Sequence, residues 1–267
     1  MSSALKRIIP SRLLKIMQRS YDAILRFPEV PSAAFHPWRM KSKKVLADMK
    51  DSQSGKRCFI VGNGPSLREM DLSKLKNEIT FGMNRIYLLF PELGFSTTYY
   101  VSINDLVIQQ CAQDIHTLGI PRFLAWRSRR HIQSSEGLNY LYTTYTGSGF
   151  SRDVTGRIWE GATVTYVALQ LAFHMGFSEV VLIGVDHNFV SSGDPNQTIT
   201  SEGDDPNHFS PNYFGKGFKW QLPDLDTSEI AYEMARDAFE KDGRRVLDAT
   251  RGGKLTVFPK VDYDTLF

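Results

Sequence analysis

The chain has 267 residues, 42% hydrophobic and 23% charged, which supports one large α/β domain or two small ones and excludes a disordered, collagen-like or disulfide-stapled chain. Two cysteines, Cys58 and Cys111, are too few for a disulfide framework or a cysteine-rich zinc site, which points to a reducing, cytoplasmic compartment. The net charge of +3 hides an asymmetry, because residues 1–55 carry +7 and the remainder −4.

In chain order, residues 11–27 read as an amphipathic helix, with Leu13, Leu14, Met17, Tyr21, Ile24 and Leu25 at helical spacing. Lys6, Arg7, Arg12, Lys15 and Arg19 interrupt the start too often for a signal peptide, and no apolar run is long enough for a transmembrane helix. A basic amphipathic segment ahead of an acidic domain suits either contact with anionic lipid through residues 1–30, at the inner face of the plasma membrane, or packing on its own domain or a partner chain. Residues 27–36, with Pro28 and Pro31, read as a linker, and a basic stretch over 39–50 leads into the main domain. The division is therefore a helical N-terminal extension, 1–55, and a catalytic domain, 56–267.

From residue 57, strands are expected at 57–61, 79–83, 98–103, 122–126, 140–145, 179–184 and 244–248. Helices are expected at 105–118, 163–175 and 228–242, the last with Asp226 and Glu229 as a capping box and Gly243 at its C-terminus. This alternation predicts an α/β fold with a doubly wound, mostly parallel sheet, whose ligands bind beyond the carboxyl ends of the strands. Residues 187–227 break the pattern but hold Phe189, Phe209, Tyr213, Phe214, Phe218 and Trp220, which favours a lid over a floppy insertion.

Chemistry concentrates at the strand ends. After the first strand, Gly62-Asn63-Gly64-Pro65-Ser66 allows close backbone approach to a ligand and offers amides to an anion, or else forms only a tight turn. Asn84 and Asn104 follow the next two strands and are expected to converge with Asn63 as neutral donors and acceptors; Asn104 alone also suits a helix cap. Asp186 and His187 end the 179–184 strand, as catalytic groups or as a local pair. In the aromatic loop, His208 suits a general base, with Asp204 and Asp205 near it, and Tyr213 and Lys216 suit donors to a leaving phosphate. Arg122, Arg127, Arg129 and Arg130 read as a solvated rim. Metal-ligand spacing is absent, so no metal site is expected, and basic residues are not interleaved with aromatics as nucleic-acid binding would require.

Gly62-Asn-Gly-Pro-Ser-Leu67, Asn84, Asn104 and Gly176-Phe-Ser-Glu-Val-Val-Leu-Ile-Gly-Val-Asp186 resemble the bacterial sialyltransferases of glycosyltransferase family 42 and the motility-accessory glycosyltransferases. A diverged branch of that superfamily is 6-hydroxymethylpterin diphosphokinase-like. The resemblance covers roughly residues 57–250 and implies a Rossmann-like domain that binds a CMP- or CDP-type sugar donor, with no further cofactor. It matches Asn63, Asn84 and Asn104 to the family's nucleotide- and donor-contacting asparagines; Gly62, Gly64, Ser66 and Thr163 are expected on the nucleotide beside them. It also implies a loop histidine that deprotonates the acceptor, a role matching His208 or, with a gap, the position of Lys216. Two tyrosines support the departing phosphate in the sialyltransferases; Asn188 stands where the first is expected. The implied activity is glycosyl transfer to a glycan or glycolipid in surface polysaccharide synthesis. The alternatives are a pterin diphosphokinase using ATP and magnesium, and an inactive nucleotide-binding scaffold.

Overall fold

A computed structural model describes residues 27–190 and 193–267, together with Met17, Ser20, Tyr21, Ala23 and Ile24. Most of the expected helix over 11–27 lies outside the described residues.

The chain folds as an eight-stranded, all-parallel sheet in the order β10-β7-β1-β2-β3-β4-β5-β6. Its strands are β1 (Arg57–Val61), β2 (Thr80–Met83), β3 (Tyr99–Ser102), β4 (Arg122–Ala125), β5 (Leu138–Thr144), β6 (Arg157–Trp159), β7 (Glu179–Ile183) and β10 (Arg245–Asp248). A two-stranded antiparallel hairpin, β8 (Thr198–Thr200) with β9 (Lys219–Gln221), stands apart. The helices are α1 (Val30–Phe35), α2 (Pro37–Asp48), α3 (Phe90–Leu93), α4 (Asp105–Gln110), α5 (Ala112–Thr117), α6 (Val164–His174) and α7 (Leu225–Glu240). The expected Rossmann-like doubly wound fold with an N-terminal helical segment is what forms.

The central strands are largely apolar and buried because both faces of a parallel sheet are covered. In β1, Cys58 and Ile60 enter one apolar layer and Phe59 and Val61 the other. The first layer is covered by α6, buried nearly all round and packed against β1, β2, β3, β6 and α7. The chain runs outward from β1 to β6, then returns through α6 to place β7 on the other side of β1. That reversal opens a crevice at the carboxyl ends of β1 and β7.

Several elements differ from expectation for local reasons. Residues 27–36 are not a linker: Pro31 and Pro37 occupy first-turn positions of α1 and α2, where no backbone N–H is needed. Helix α2 then packs on β5, with the Ser42 hydroxyl accepting from the Tyr140 amide at 2.9 Å. The 105–118 helix divides at Cys111, which leaves helical geometry. Helix α7 begins earlier than expected because Asp224, not Asp226, caps it, accepting from the Thr227 amide at 3.1 Å. Gly243 ends it in the left-handed conformation, as expected.

The described residues of the 187–227 segment form an insert packed on the sheet. Phe209, Tyr213, Phe214, Trp220 and Leu222 are buried in the second apolar layer. Its backbone is tied to the strand ends: the Phe209 amide donates to the Asn63 carbonyl at 2.9 Å, and Arg68 Nε donates to the Phe209 carbonyl at 2.8 Å. The aromatics that suggested a lid are therefore also its anchor.

Candidate functional site

The loops after β1 and β7 touch. The Gly62 amide donates to the Ile183 carbonyl at 2.7 Å and the Gly64 amide to the Gly184 carbonyl at 2.9 Å. A Cβ on Gly62 would lie 2.2 Å from the Gly184 oxygen, and one on Gly64 would lie 1.8 Å from Asp186 Oδ2. Both glycines are thus required by loop against loop, and their amides are consumed there, which corrects the expectation that they stand open to an anion. Ser66 is buried and donates to Asp186 through its amide, at 3.1 Å, and its hydroxyl, at 2.7 Å. Asp186 itself therefore occupies the start of the Pro65–Glu69 turn. Burial pushes its carboxyl pKa up, against the opposing pull of the two Ser66 hydrogen bonds. Gly62→Ala is expected to destabilise the protein by about 2–3 kcal/mol, since a backbone carbonyl, not a flexible side chain, must yield. Urea denaturation measures this, and a loss under about 0.5 kcal/mol would show that the loops separate easily.

Over this contact opens a cavity of about 970 Å³, within the size range of small-molecule sites. Asn63, Asn84 and Asn104 all line it, as their matching strand-end positions predicted. Their side chains differ. Asn104 caps α4, accepting from the Leu106 and Val107 amides, and its Nδ2 donates to Gln221 Oε1 at 3.4 Å. Asn84 accepts from the Ser102 hydroxyl at 3.0 Å. Asn63 Oδ1 is buried without a partner, so it is the acceptor left open. Thr163 lines the cavity too, as the cap of α6. Among the described residues five non-glycines have positive φ, and four of them (Asn84, Ala162, His187 and Asn196) line this cavity. Such conformations persist where surrounding structure enforces them, commonly at ligand sites.

The insert supplies the far part of the lining. His208 Nδ1 lies 2.7 Å from Asp205 Oδ2, and both side chains are nearly buried. The imidazole stacks on Tyr213 with ring centres 3.9 Å apart. A carboxylate partner assigns the proton to Nδ1 and leaves Nε2 as a free acceptor, without a partner among the described residues. His187 lines the same cavity, with Nε2 2.9 Å from Glu229 Oε1.

Two expected participants are placed elsewhere. Tyr213 is fully buried, its hydroxyl accepting from the Arg85 amide at 3.1 Å, because the ring serves the aromatic layer beneath His208. Lys216 is exposed and does not line the cavity. The arginine cluster is a solvated rim only at Arg130, which is exposed and paired with Asp105; Arg122 is buried against the Ile115 and His116 carbonyls, and Arg129 lies over Trp126. Arg127 forms part of the cavity wall in a buried ion pair with Glu160, and also donates to the Ile103 carbonyl at 2.6 Å and Thr143 Oγ1 at 3.1 Å. Burial acts against its charge, but the Glu160 carboxylate outweighs this and raises its pKa. Sequence reading missed Arg127 and Glu160 as a site pair because they lie 33 residues apart on different strand ends.

No curated protein matches the chain. One solved structure that the chain matches is that of a Maf glycosyltransferase from Magnetospirillum magneticum AMB-1, at 15% identity and a TM-score of 0.49. The match covers 86% of this chain and 39% of that one, so this chain spans well under half of that protein's length. The sequence model of the family described as "6-hydroxymethylpterin diphosphokinase MptE-like" matches residues 37–192, more than half of the chain and including the Gly62–Leu67 and Gly176–Asp186 segments. The chain belongs to the 6-hydroxymethylpterin diphosphokinase MptE-like family.

Proposed function

We propose that the protein is a nucleotide-dependent transferase whose donor binds along the β1–β7 crevice and whose base is His208. The observation that carries this reading is the His208–Asp205 pair, with Nε2 open on the wall of the cavity. In the step, His208 Nε2 takes the proton of an acceptor hydroxyl as that oxygen attacks the donor. Asp205 holds the imidazole in register and stabilises the imidazolium. Neutral groups such as Asn63 and Thr163 would position the donor.

Glycosyl transfer from a CMP- or CDP-type donor to a glycan or glycolipid is the reading we favour, sialic acid being one such donor sugar. The alternative, diphosphoryl transfer from ATP, has the family's name in its favour and needs magnesium. The lining carboxylates do not fit a protein-held magnesium ion. Asp105 is paired with Ser128 and Arg130, Glu160 with Arg127, Asp186 with Ser66, and Asp224 caps α7. Among the described residues no group of three His, Cys, Asp or Glu is placed to hold a metal.

A thermal-shift panel of CMP, CDP and ATP with magnesium tests these readings, since a ligand at 100 times its Kd adds about 2.7 kcal/mol. A shift by a cytidine nucleotide supports the first, a shift by ATP only with magnesium the second, and binding without turnover the scaffold. Asn63→Ala is expected to weaken the responding nucleotide by about 1–2 kcal/mol while leaving the melting temperature of the free protein nearly unchanged.

Peripheral attachment to anionic lipid through residues 1–30 belongs to this proposal, as does a cytoplasmic site of action. Among the described residues, no helix is long and apolar enough to cross a membrane. Met17, Tyr21, Ile24 and Phe27 are exposed. Full-length protein is expected to co-sediment with phosphatidylserine vesicles and a protein beginning at residue 31 to remain in the supernatant; equal pelleting would end the idea.

A further inference from the structure

An anionic donor needs positive charge, and the cavity holds little of it. Among the described residues lining it, Arg127 is the one permanently cationic side chain, and Glu160 neutralises it. Asp105, Asp186 and Asp224 add negative charge on the same walls. The groups left that can become cationic are His187 and His208, and His208 Nε2 is required unprotonated as the base.

His187 is held for a different task. It lies four residues beyond β7, in the left-handed conformation, beside the loop contact where the donor site lies. Its side chain is only 7% exposed and lines the cavity, and its ring meets Tyr232 edge-on. Nε2 is engaged with Glu229, whereas Nδ1 has no partner among the described residues. A carboxylate at Nε2 fixes the proton there, so Nδ1 of the neutral ring is an acceptor and cannot meet a phosphate oxygen. When the ring takes up a proton, Nδ1–H becomes a charged donor. The titratable groups around it are Glu229 and Tyr232 of α7, its chain neighbour Asp186, and Asp224 at the start of α7.

We infer that His187, held by Glu229, is the phosphate-binding and leaving-group residue, and that donor binding draws one proton onto its Nδ1. The inference rests on the donor site proposed above. In glycosyl transfer, the acceptor proton goes to His208 Nε2 and the acceptor oxygen forms the new bond to the anomeric carbon. The bond from that carbon to the phosphate oxygen breaks, its electron pair leaving with the nucleotide. The new charge on that oxygen is met by the His187 Nδ1–H. Two histidine–carboxylate pairs then divide the work, one on the acceptor and one on the leaving group.

Calorimetry of the full-length protein with CMP, in buffers of different ionisation enthalpy near neutral pH, reads the proton directly. The wild type is expected to take up protons on binding, up to one per CMP, with Kd rising by up to about tenfold per pH unit as pH increases above neutrality. His187→Gln is expected to abolish the uptake and flatten the pH dependence, Glu229→Gln to reduce both, and His208→Gln to retain both. Circular dichroism confirms that each variant is folded. Equal uptake in wild type and His187→Gln, or none in the wild type, overturns the inference while the donor site stands. If neither CMP, CDP nor ATP binds the wild type, the donor-site reading falls and takes this inference with it.

Discussion

His208→Ala is expected to lower turnover by about 10²–10⁴-fold with little change in nucleotide affinity, the signature of a base that acts on the acceptor and does not hold the donor. The structure strengthens the reason for this expectation. Nδ1 is committed to a nearly buried carboxylate, and the ring is stacked flat on Tyr213 with Phe214 edge-on. The imidazole is therefore fixed in position and tautomer before substrate arrives, which is what general-base efficiency requires. Asp205→Asn should cost activity without loss of fold, because the amide can present a donor where the ring needs an acceptor. Single-turnover kinetics with an acceptor in excess distinguish the outcomes. If His208→Ala transfers normally and His187→Ala does not, the base is His187; if neither matters, the scaffold reading replaces the enzyme.

Removing one half of the Arg127–Glu160 pair should have the largest effect on stability. Arg127→Met leaves the Glu160 carboxylate nearly buried without its guanidinium, and Thr143 and the Ile103 carbonyl without their donor. Breaking a buried pair in this way costs about 3–5 kcal/mol, much more than the pair contributes relative to an apolar replacement. The double variant Arg127→Met, Glu160→Leu is accordingly expected to recover most of that loss in urea denaturation. A single variant as stable as wild type would mean that water reaches Glu160 freely. Because both residues line the cavity, the recovered protein should still bind nucleotide poorly, which separates the pair's effect on folding from its effect on the site.

Much of the fold was legible before any coordinates. Strands buried on both faces read as continuous apolar runs, and the order of strand and helix predicts a parallel sheet from pattern alone. The edges were less legible. The three-residue strand β6 carries too few residues for a periodic signal, and the hairpin of β8 and β9 sits among turn residues that mask it. The gathering of the candidate residues was legible where it depends on chain position: Asn63, Asn84, Asn104, Asp186, His187 and His208 all line one cavity.

What the glycines do was decided only by tertiary structure. A Gly-Asn-Gly turn after a strand is compatible with a ligand or with a second loop. Here the second loop, after β7, takes the amides of Gly62 and Gly64, and Asp186 takes the amide and hydroxyl of Ser66. The partners of the two histidines divide the same way. Asp205 lies three residues from His208 and could be suspected from the sequence, but Glu229 lies 42 residues from His187 and meets it only because α7 packs beside the end of β7. Periodicity and strand-end position are local properties that a sequence carries in itself. Which hydrogen-bonding groups remain open to a ligand depends on contacts between segments far apart in the chain, and those exist only once the sheet has assembled.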